Sequence, residues 1–369
     1  MAVALLAVLV LPIRWNPLTA RKLDRFRRIK RGYWSFLLLA IATVGSMFAE
    51  LFISDRALVV WHEGQLHFPT YGKVRLGAEF GAEGVDRFSP ADYRALDARW
   101  EAEGADSWAL LPLVPYNPRE QNPYEGVFKP RPPSPDVQHY LGTDSQGRDI
   151  LARLVYGFRI AIFFALAFMV LTYLIGIAFG CLMGYFGGAT DLLGQRLIEI
   201  WSNVPFLYMV IIIFSVIPSG FSVEARIAIL LLVMVLFSWT GMTYYMRTAT
   251  YKEKARDYTA AARVLGAGSG RIIFRHILPN TVSTIVTFMP FTIVSAITAI
   301  TALDFLGFGL PVPTPSLGEL LKQGTSQLRV APWIVSAAFS TLVILLTLVT
   351  FVGEAIREAF DPKKFTVYK

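Results

Sequence analysis

The chain of 369 residues has one cysteine, Cys181. A lone thiol excludes an intrachain disulfide and a cysteine metal cluster. Its place inside an apolar run makes it a small packing residue. Histidine is also scarce. His62, His67, His139 and His276 show no zinc spacing and join no Ser-His-Asp arrangement. No phosphate-binding loop occurs. Gly266-Ala267-Gly268-Ser269-Gly270 lacks the Lys-Ser/Thr ending and follows no strand, and Gly307-Phe308-Gly309 fails the same test. If ATP drives this protein, another chain must bind it. Charge is low too: Asp, Glu, Lys and Arg make up 17%, against about 25% in soluble domains.

Apolar residues are abundant, at 54% of the chain. Six runs approach the roughly 20 residues a membrane-crossing helix needs: 33–53, 158–185, 197–217, 225–246, 281–303 and 333–353. Backbone polar groups cannot stay unpaired in lipid, so these runs are expected to be helices. They do not alternate apolar and polar as barrel strands would. Met1 to Leu11 is apolar but too short to span, and its basic residues follow it, the reverse of a secretory signal. An interfacial or loosely packed end is expected there.

Charge sets the orientation. Arg14, Arg21, Lys22, Arg25, Arg27, Arg28, Lys30 and Arg31 precede the first run against Asp24 alone. The positive-inside rule puts this end in the cytoplasm. Six crossings return the C-terminus to the same side, in agreement with Arg357, Lys363, Lys364 and Lys369. The segment after the fourth run, with Arg247, Lys252, Lys254, Arg256, Arg263, Arg271 and Arg275, also falls inside. The net charge of +8 is thus a topogenic asymmetry and not a nucleic-acid footprint.

Residues 54–157 then form a polar region on the outer face. Leu58 to Val60 and Gln65 to Phe68 flank Glu63-Gly64, a hairpin pattern. Ser89-Pro90-Ala91-Asp92 reads as a helix start with Ser89 as cap, ending at Gly104. Eight prolines between Pro112 and Pro135 make that stretch extended and irregular. The expected role is a cap on the outer mouth that contacts a partner, against a plain spacer.

Several features carry a structural and a functional reading side by side. Gly176, Gly180 and Gly184 share one helix face and admit a close neighbour. Pro205 should kink the third crossing, as a path-lining break or a simple bend. Arg196 and Glu199 are spaced to pair along a helix, and a surface pair is favoured. Asp304 heads a Gly/Pro-rich loop with Gly307, Gly309, Pro311, Pro313 and Pro315, too short to cross; it reads as a re-entrant or interfacial gate, or as a connector.

The most informative stretch is Asp257–Asn280. Asp257 to Leu265 is a small-residue helix, and Gly266 supplies a left-handed stop. A second short helix is expected from Arg271, ending near Pro279, which the next helix can take in its first turn. Here the sequence resembles the cytoplasmic EAA loop of permease subunits of bacterial ABC importers. The matching residues are Ala261, Ala262, Gly266 and His276-Ile277-Leu278-Pro279. Ala260 replaces the leading acid, with Asp257 three residues earlier, as in the dipeptide/oligopeptide branch. His139-Tyr140-Leu141-Gly142-Thr143-Asp144-Ser145-Gln146-Gly147-Arg148-Asp149, Phe305-Leu306-Gly307-Phe308-Gly309 with Pro315-Ser316-Leu317-Gly318, and Ala359-Phe360-Asp361-Pro362 resemble that branch in order. The enlarged outer region looks closest to the second permease of microcin C-type oligopeptide importers.

The resemblance implies an all-α polytopic membrane protein of the type I importer permease fold, with six transmembrane helices and an irregular mixed periplasmic insertion between helices 1 and 2. Its parts would be a cytoplasmic basic segment (1–32), helix 1 (33–53), the periplasmic region (54–157), a permease core (158–353) with a coupling loop at 250–280, and a cytoplasmic tail (354–369). Asp257, Ala260, Ala261, Ala262, Leu265, Gly266 and Pro279 would couple to an ATPase. Pro205, Asp304, Gly307 and Gly309 would belong to a path or gate. The implied partners are a second permease chain, two ATPase subunits or one fused double ATPase, a periplasmic binding protein, a peptide or peptide-like substrate and the inner-membrane bilayer. ATP and Mg would sit on the ATPase, and this chain would carry no cofactor. A membrane-embedded enzyme lacks any acid–base or metal constellation here. A self-sufficient channel or secondary transporter would carry inverted repeats. The residues leave the cargo open between oligopeptides, peptide–nucleotide antibiotics, murein-derived peptides and nickel.

Overall fold

The computed structural model describes residues 17–82, 84–217 and 220–360. Met1–Leu11, Arg14, Asp361-Pro362 and Lys363, Lys364 and Lys369 lie outside them. The chain divides into two compact units, one from 1–41, 161–311 and 343–369, the other from 42–160 and 312–342.

The first unit is helical. It holds α1 (Pro17–Arg28) and most of α2 (Lys30–Met47). Four described helices are long and apolar enough to cross a membrane: Ile150–Phe186, Val223–Lys254, Ser269–Leu306 and Pro332–Phe360. A fifth span counts if Gly188–Ser202 and Phe206–Val216 are taken together across their 70° bend. The expected run 33–53 is helical only to Met47 and passes into a 3-10 turn at Ala49–Leu51. Its charged start, Lys30 and Arg31, leaves α2 less apolar than the spanning stretches of the four helices named above. The expected crossing 158–185 begins earlier, at Ile150.

Glycine decides two packings. A Cβ on Gly32 would lie 2.0 Å from Ala355 Cβ, where α2 meets the last helix. Cβ atoms on Gly176, Gly180 and Gly184 would lie 2.6–2.7 Å from Met242, Met246, Arg247 or Thr250 atoms. The glycine face therefore brings two long helices to near backbone contact, as small residues do within membranes.

The second unit holds a three-stranded antiparallel sheet, β1 (Val59–His62), β2 (Gln65–His67) and, after α3 (Tyr93–Glu103), β3 (Trp108–Leu110), in the order β2-β1-β3. Glu63 (φ 48°) and Gly64 (φ 76°) make the hairpin turn, whose positive φ at both positions matches the twist of the strands. Val60 and Ala109 pack with Phe80, Tyr93, Leu96 and Trp100. Each large apolar side chain buried here stabilises the unit by roughly 1.5–3 kcal/mol. The cap of α3 is Asp92 and not Ser89: its carboxylate accepts from the N–H groups of Arg94 (3.1 Å) and Ala95 (3.3 Å). Residues 89–91 instead pair with 75–77 as extended chain. Gly104 ends the helix at φ 64°.

Candidate functional site

α4 (Ile150–Phe186), α5 (Gly188–Ser202), α6 (Phe206–Val216) and α7 (Val223–Lys254) lead to the segment singled out in the sequence. There α8 spans Asp257–Val264, with Asp257 in its first turn, where a negative charge complements the helix dipole. Thr259 and Ala262 are buried. The Thr259 hydroxyl donates to Glu253 O at 2.8 Å, and Ala262 packs with Ile272, Ile273 and Ile277. The opposite face carries Ala260, Ala261, Val264 and Leu265, with Val264 and Leu265 88% and 86% exposed. Two large apolar side chains held in water beside two alanines make a surface a facing protein can approach closely.

Gly266 ends α8 at φ 81°. Its N–H donates to Arg263 O and the Ala267 N–H to Ala262 O, both at 3.0 Å. This is the paired hydrogen-bond pattern of a left-handed helix stop. Nothing lies within 4 Å of a Cβ built on Gly266, so its conformation, not crowding, calls for glycine.

The second short helix is not separate. α9 (Ser269–Ile272) runs through a π-turn at Ile273–Ile277 into α10 (Leu278–Leu306). Pro279 has no N–H, and its ring would meet the carbonyl four residues back in an α-helix. The wider turn before it accommodates the ring without ending the helix. Around the segment, Arg256, Arg263, Arg271 and Arg275 are exposed. Burial, with Glu253 accepting from its hydroxyl at 2.6 Å, pushes the Tyr258 phenol up.

α7 and α10, the helices on either side of this segment, also wall a cavity of about 400 Å³. α7 contributes Met234, Ser238, Gly241, Met242 and Tyr245, and α10 contributes Phe288, Phe291, Thr292, Ser295 and Ala299. Phe168, Thr172 and Tyr173 of α4 and Phe206 of α6 complete it. Tyr173 and Thr292 share a 2.8 Å hydrogen bond, and Tyr245 stacks on Phe288 at 3.9 Å. The lining has aromatic rings and hydroxyls and no charged side chain. Pro290 lies inside α10 at this level. Among the described residues no group of three or more His, Cys, Asp or Glu could hold a metal ion.

Residues 176–366 match the family described as "Binding-protein-dependent transport system inner membrane component". The chain is 40% identical over 353 residues to the inner membrane ABC transporter permease protein YejE of Escherichia coli, covering 95% of this chain and 99% of that one. It is 38% identical over 375 residues to the peptidoglycan transport system permease protein YejE of Agrobacterium fabrum, covering 95% and 94%. It is 35% identical to the oligopeptide transport system permease protein OppC of Bacillus subtilis, covering 63% and 74%. A solved inward-facing structure of the MetNI methionine ABC transporter is similar at 16% identity, covering 57% of this chain and 98% of that one, with a TM-score of 0.46. The chain belongs to the binding-protein-dependent permease family. It is the inner-membrane, multi-pass component of such a transporter and not the ATPase.

The other residues singled out in this permease occupy distinct places. Pro205 caps α6 at the 70° break, and its neighbour Phe206, not Pro205 itself, lines the cavity. Asp304, Gly307 and Gly309 form one corner at the end of α10. Gly307 stops the helix at φ 90°, Asp304 accepts from the Leu310 N–H at 2.6 Å, and a Cβ on Gly309 would strike the Asp304 carboxylate at 1.8 Å. None of the three lines the cavity. Arg196 and Glu199 form an exposed pair at 2.6 Å.

Two clusters were missed in the sequence. Asp191 of α5 accepts from Arg247 (2.5 and 2.7 Å), Tyr251 (2.9 Å) and Gln195 (3.0 Å). It thereby ties α5 to the end of α7 that leads into α8. In the second unit the stretch 139–149 explains its own composition. Asp149 caps α4, accepting from the Ala152 N–H at 2.7 Å, and its other oxygen meets His139 Nδ1 at 2.8 Å. The imidazole stacks on Tyr116 at 4.0 Å. Arg148 bonds Asp144 (2.7 Å) and Glu319 (2.9 Å) of α11 (Leu317–Ser326). Arg153 bonds the same Glu319 and the Pro118 carbonyl (3.1 Å). Arg148, Arg153 and Asp144 are fully buried, so this two-cation, two-anion cluster is viable only because it is paired.

Proposed function

We propose that this permease imports peptides or peptide-like compounds across the inner membrane by alternating access, driven by ATP hydrolysis on a partner chain. One observation carries the proposal: α8 is inserted between α7 and α10, two of the four helices that wall the cavity. A push on α8 would pass into both. From Tyr245 to the end of α7 at Lys254 is 9 residues, about 14 Å of helix, a distance a rigid helix transmits as a tilt.

In this proposal Ala260, Ala261, Val264 and Leu265 meet a cleft of an ATPase subunit, or of one half of a fused double ATPase, on the cytoplasmic side. Asp257, Ala262, Gly266 and Pro279 set the angle of the helix. The exposed arginines around it favour this side by the positive-inside rule, and both termini lie there too. A second permease chain closes the cavity, and a periplasmic binding protein delivers cargo. ATP and Mg stay with the ATPase, and this chain carries no cofactor. The relatives named for peptidoglycan and oligopeptide transport support a peptide cargo. The uncharged lining suits cargo held by its backbone amides and apolar groups and not by a fixed charge.

The test is uptake of a labelled murein-derived peptide into proteoliposomes holding the assembled transporter and its binding protein. Uptake should need ATP on the ATPase side. Flux through this chain alone would overturn the proposal. Gly241→Leu adds a side chain where nothing lies within 4 Å of the built Cβ. It should leave assembly intact and cut uptake at least several-fold; unchanged uptake would remove this cavity from the path.

A further inference from the structure

The sheet of the second unit has one apolar face that is partly exposed. The register pairs Val60 with His67 and Ala109, and this side packs on α3. The alternate residues share the other face: Trp61 lies opposite Leu66 and Trp108, and Val59 opposite Leu110. Leu66, Trp108 and Leu110 are about half exposed. No charged side chain stands on that face. The loop after β2 adds exposed Phe68, Tyr71 and Val74, with Lys73 among them and no acid from Phe68 to Val74. Arg56 holds this loop through the carbonyls of Pro69 and Gly72.

A second exposed apolar surface lies nearby in the chain, at the end of the run 33–53 expected as the first crossing. Met47, Phe48, Leu51 and Phe52 are exposed at the end of α2. From there an isolated parallel bridge, Ile53 with Val114, and separate backbone bonds link the chain to the strand that carries Leu110. The Val114 N–H donates to Phe52 O, the Ser54 N–H to Val114 O, and the Leu58 N–H to Leu110 O. Leu110 and Val114 are four residues apart, about 13 Å of extended chain. Leu113, between them, is exposed as well. Exposed apolar side chains thus lie close together along the chain at the end of α2, at Leu113 and on the sheet. Tryptophan and tyrosine with a neighbouring lysine are the side chains that settle at the headgroup level, apolar body down and polar edge in water.

We infer that this sheet face rests on the lipid surface of the adjoining leaflet and anchors the 54–157 region to it. The occupant is phospholipid, not the binding protein and not the second permease. Cys181 is the single native cysteine, so a Cys181→Ser background gives clean labelling. Leu66→Cys, Leu110→Cys and, on α3, the exposed Glu101→Cys would each carry an environment-sensitive fluorophore. The assembled transporter is placed in nanodiscs of phosphatidylethanolamine and phosphatidylglycerol with a nitroxide-headgroup phosphatidylcholine. Quenching at 66 and 110 should be several-fold stronger than at 101. Equal quenching at all three sites overturns the inference. A photo-crosslinker at 66 supplies the second measurement. Lipid adducts support the anchor, and adducts to the second permease or the binding protein overturn it.

Discussion

At the scale of the residue, the buried ions around Glu319 have the largest consequences. Its carboxylate is shared by Arg148 and Arg153, and Asp144 is the other anion of the set. Removing one member of such a group leaves a buried charge unpaired, at a cost of about 3–5 kcal/mol. Glu319→Gln should therefore lower the thermal unfolding midpoint of the purified transporter sharply. Arg153→Met should do the same. The double variant should cost less than the sum, because the charge each single variant strands is gone. Additive losses would contradict the pairing. The cluster was not legible from the sequence, since Glu319 lies 171 and 166 residues from its two arginines. The cap of α3 was misassigned for a local reason. Ser89 and Asp92 both suit a cap, and only the pairing of 89–91 with 75–77 selects Asp92.

Among the elements, the approach of α4 to α7 rests on glycine. Gly180→Leu would force a side chain where even a Cβ meets Met246 Cβ at 2.6 Å and Thr243 O at 2.7 Å. Overpacking of this kind costs about 1–3 kcal/mol or more. The variant should give a poor yield of assembled transporter by size exclusion, while Gly241→Leu on the same α7 should assemble normally. Equal yields would mean the two helices have room to part. This packing was readable from the four-residue spacing, as was the break at Pro205. The join of α9 to α10 was not. Proline and glycine near 266–279 signal an interruption, but the π-turn lets the helix continue past Pro279. The early end of α2 at Met47 was also missed, because an apolar run to residue 53 does not reveal that Ala49–Leu51 turns.

For the whole molecule, the sequence was most legible where physics is strictest. Lipid demands long apolar helices, and the described residues hold four whole ones, or five if the bent pair 188–216 counts as one span. The cavity was not legible, because its lining comes from four helices and consists of residues common in any membrane span. What joins these scales is the position of α8 between α7 and α10, two of the four helices that wall the cavity. Gly266 is the residue where that arrangement can be loosened without touching the cavity or the core. Valine there must adopt φ near 81° or shift the helix stop, at a cost on the order of 1–2 kcal/mol, too little to unfold the chain. The decisive measurement is the ratio of peptide taken up to ATP hydrolysed in proteoliposomes, for wild type and Gly266→Val. The account predicts that the variant assembles, continues to hydrolyse ATP and loses most uptake, so the ratio falls several-fold. An unchanged ratio in a fully assembled Gly266→Val transporter would contradict it.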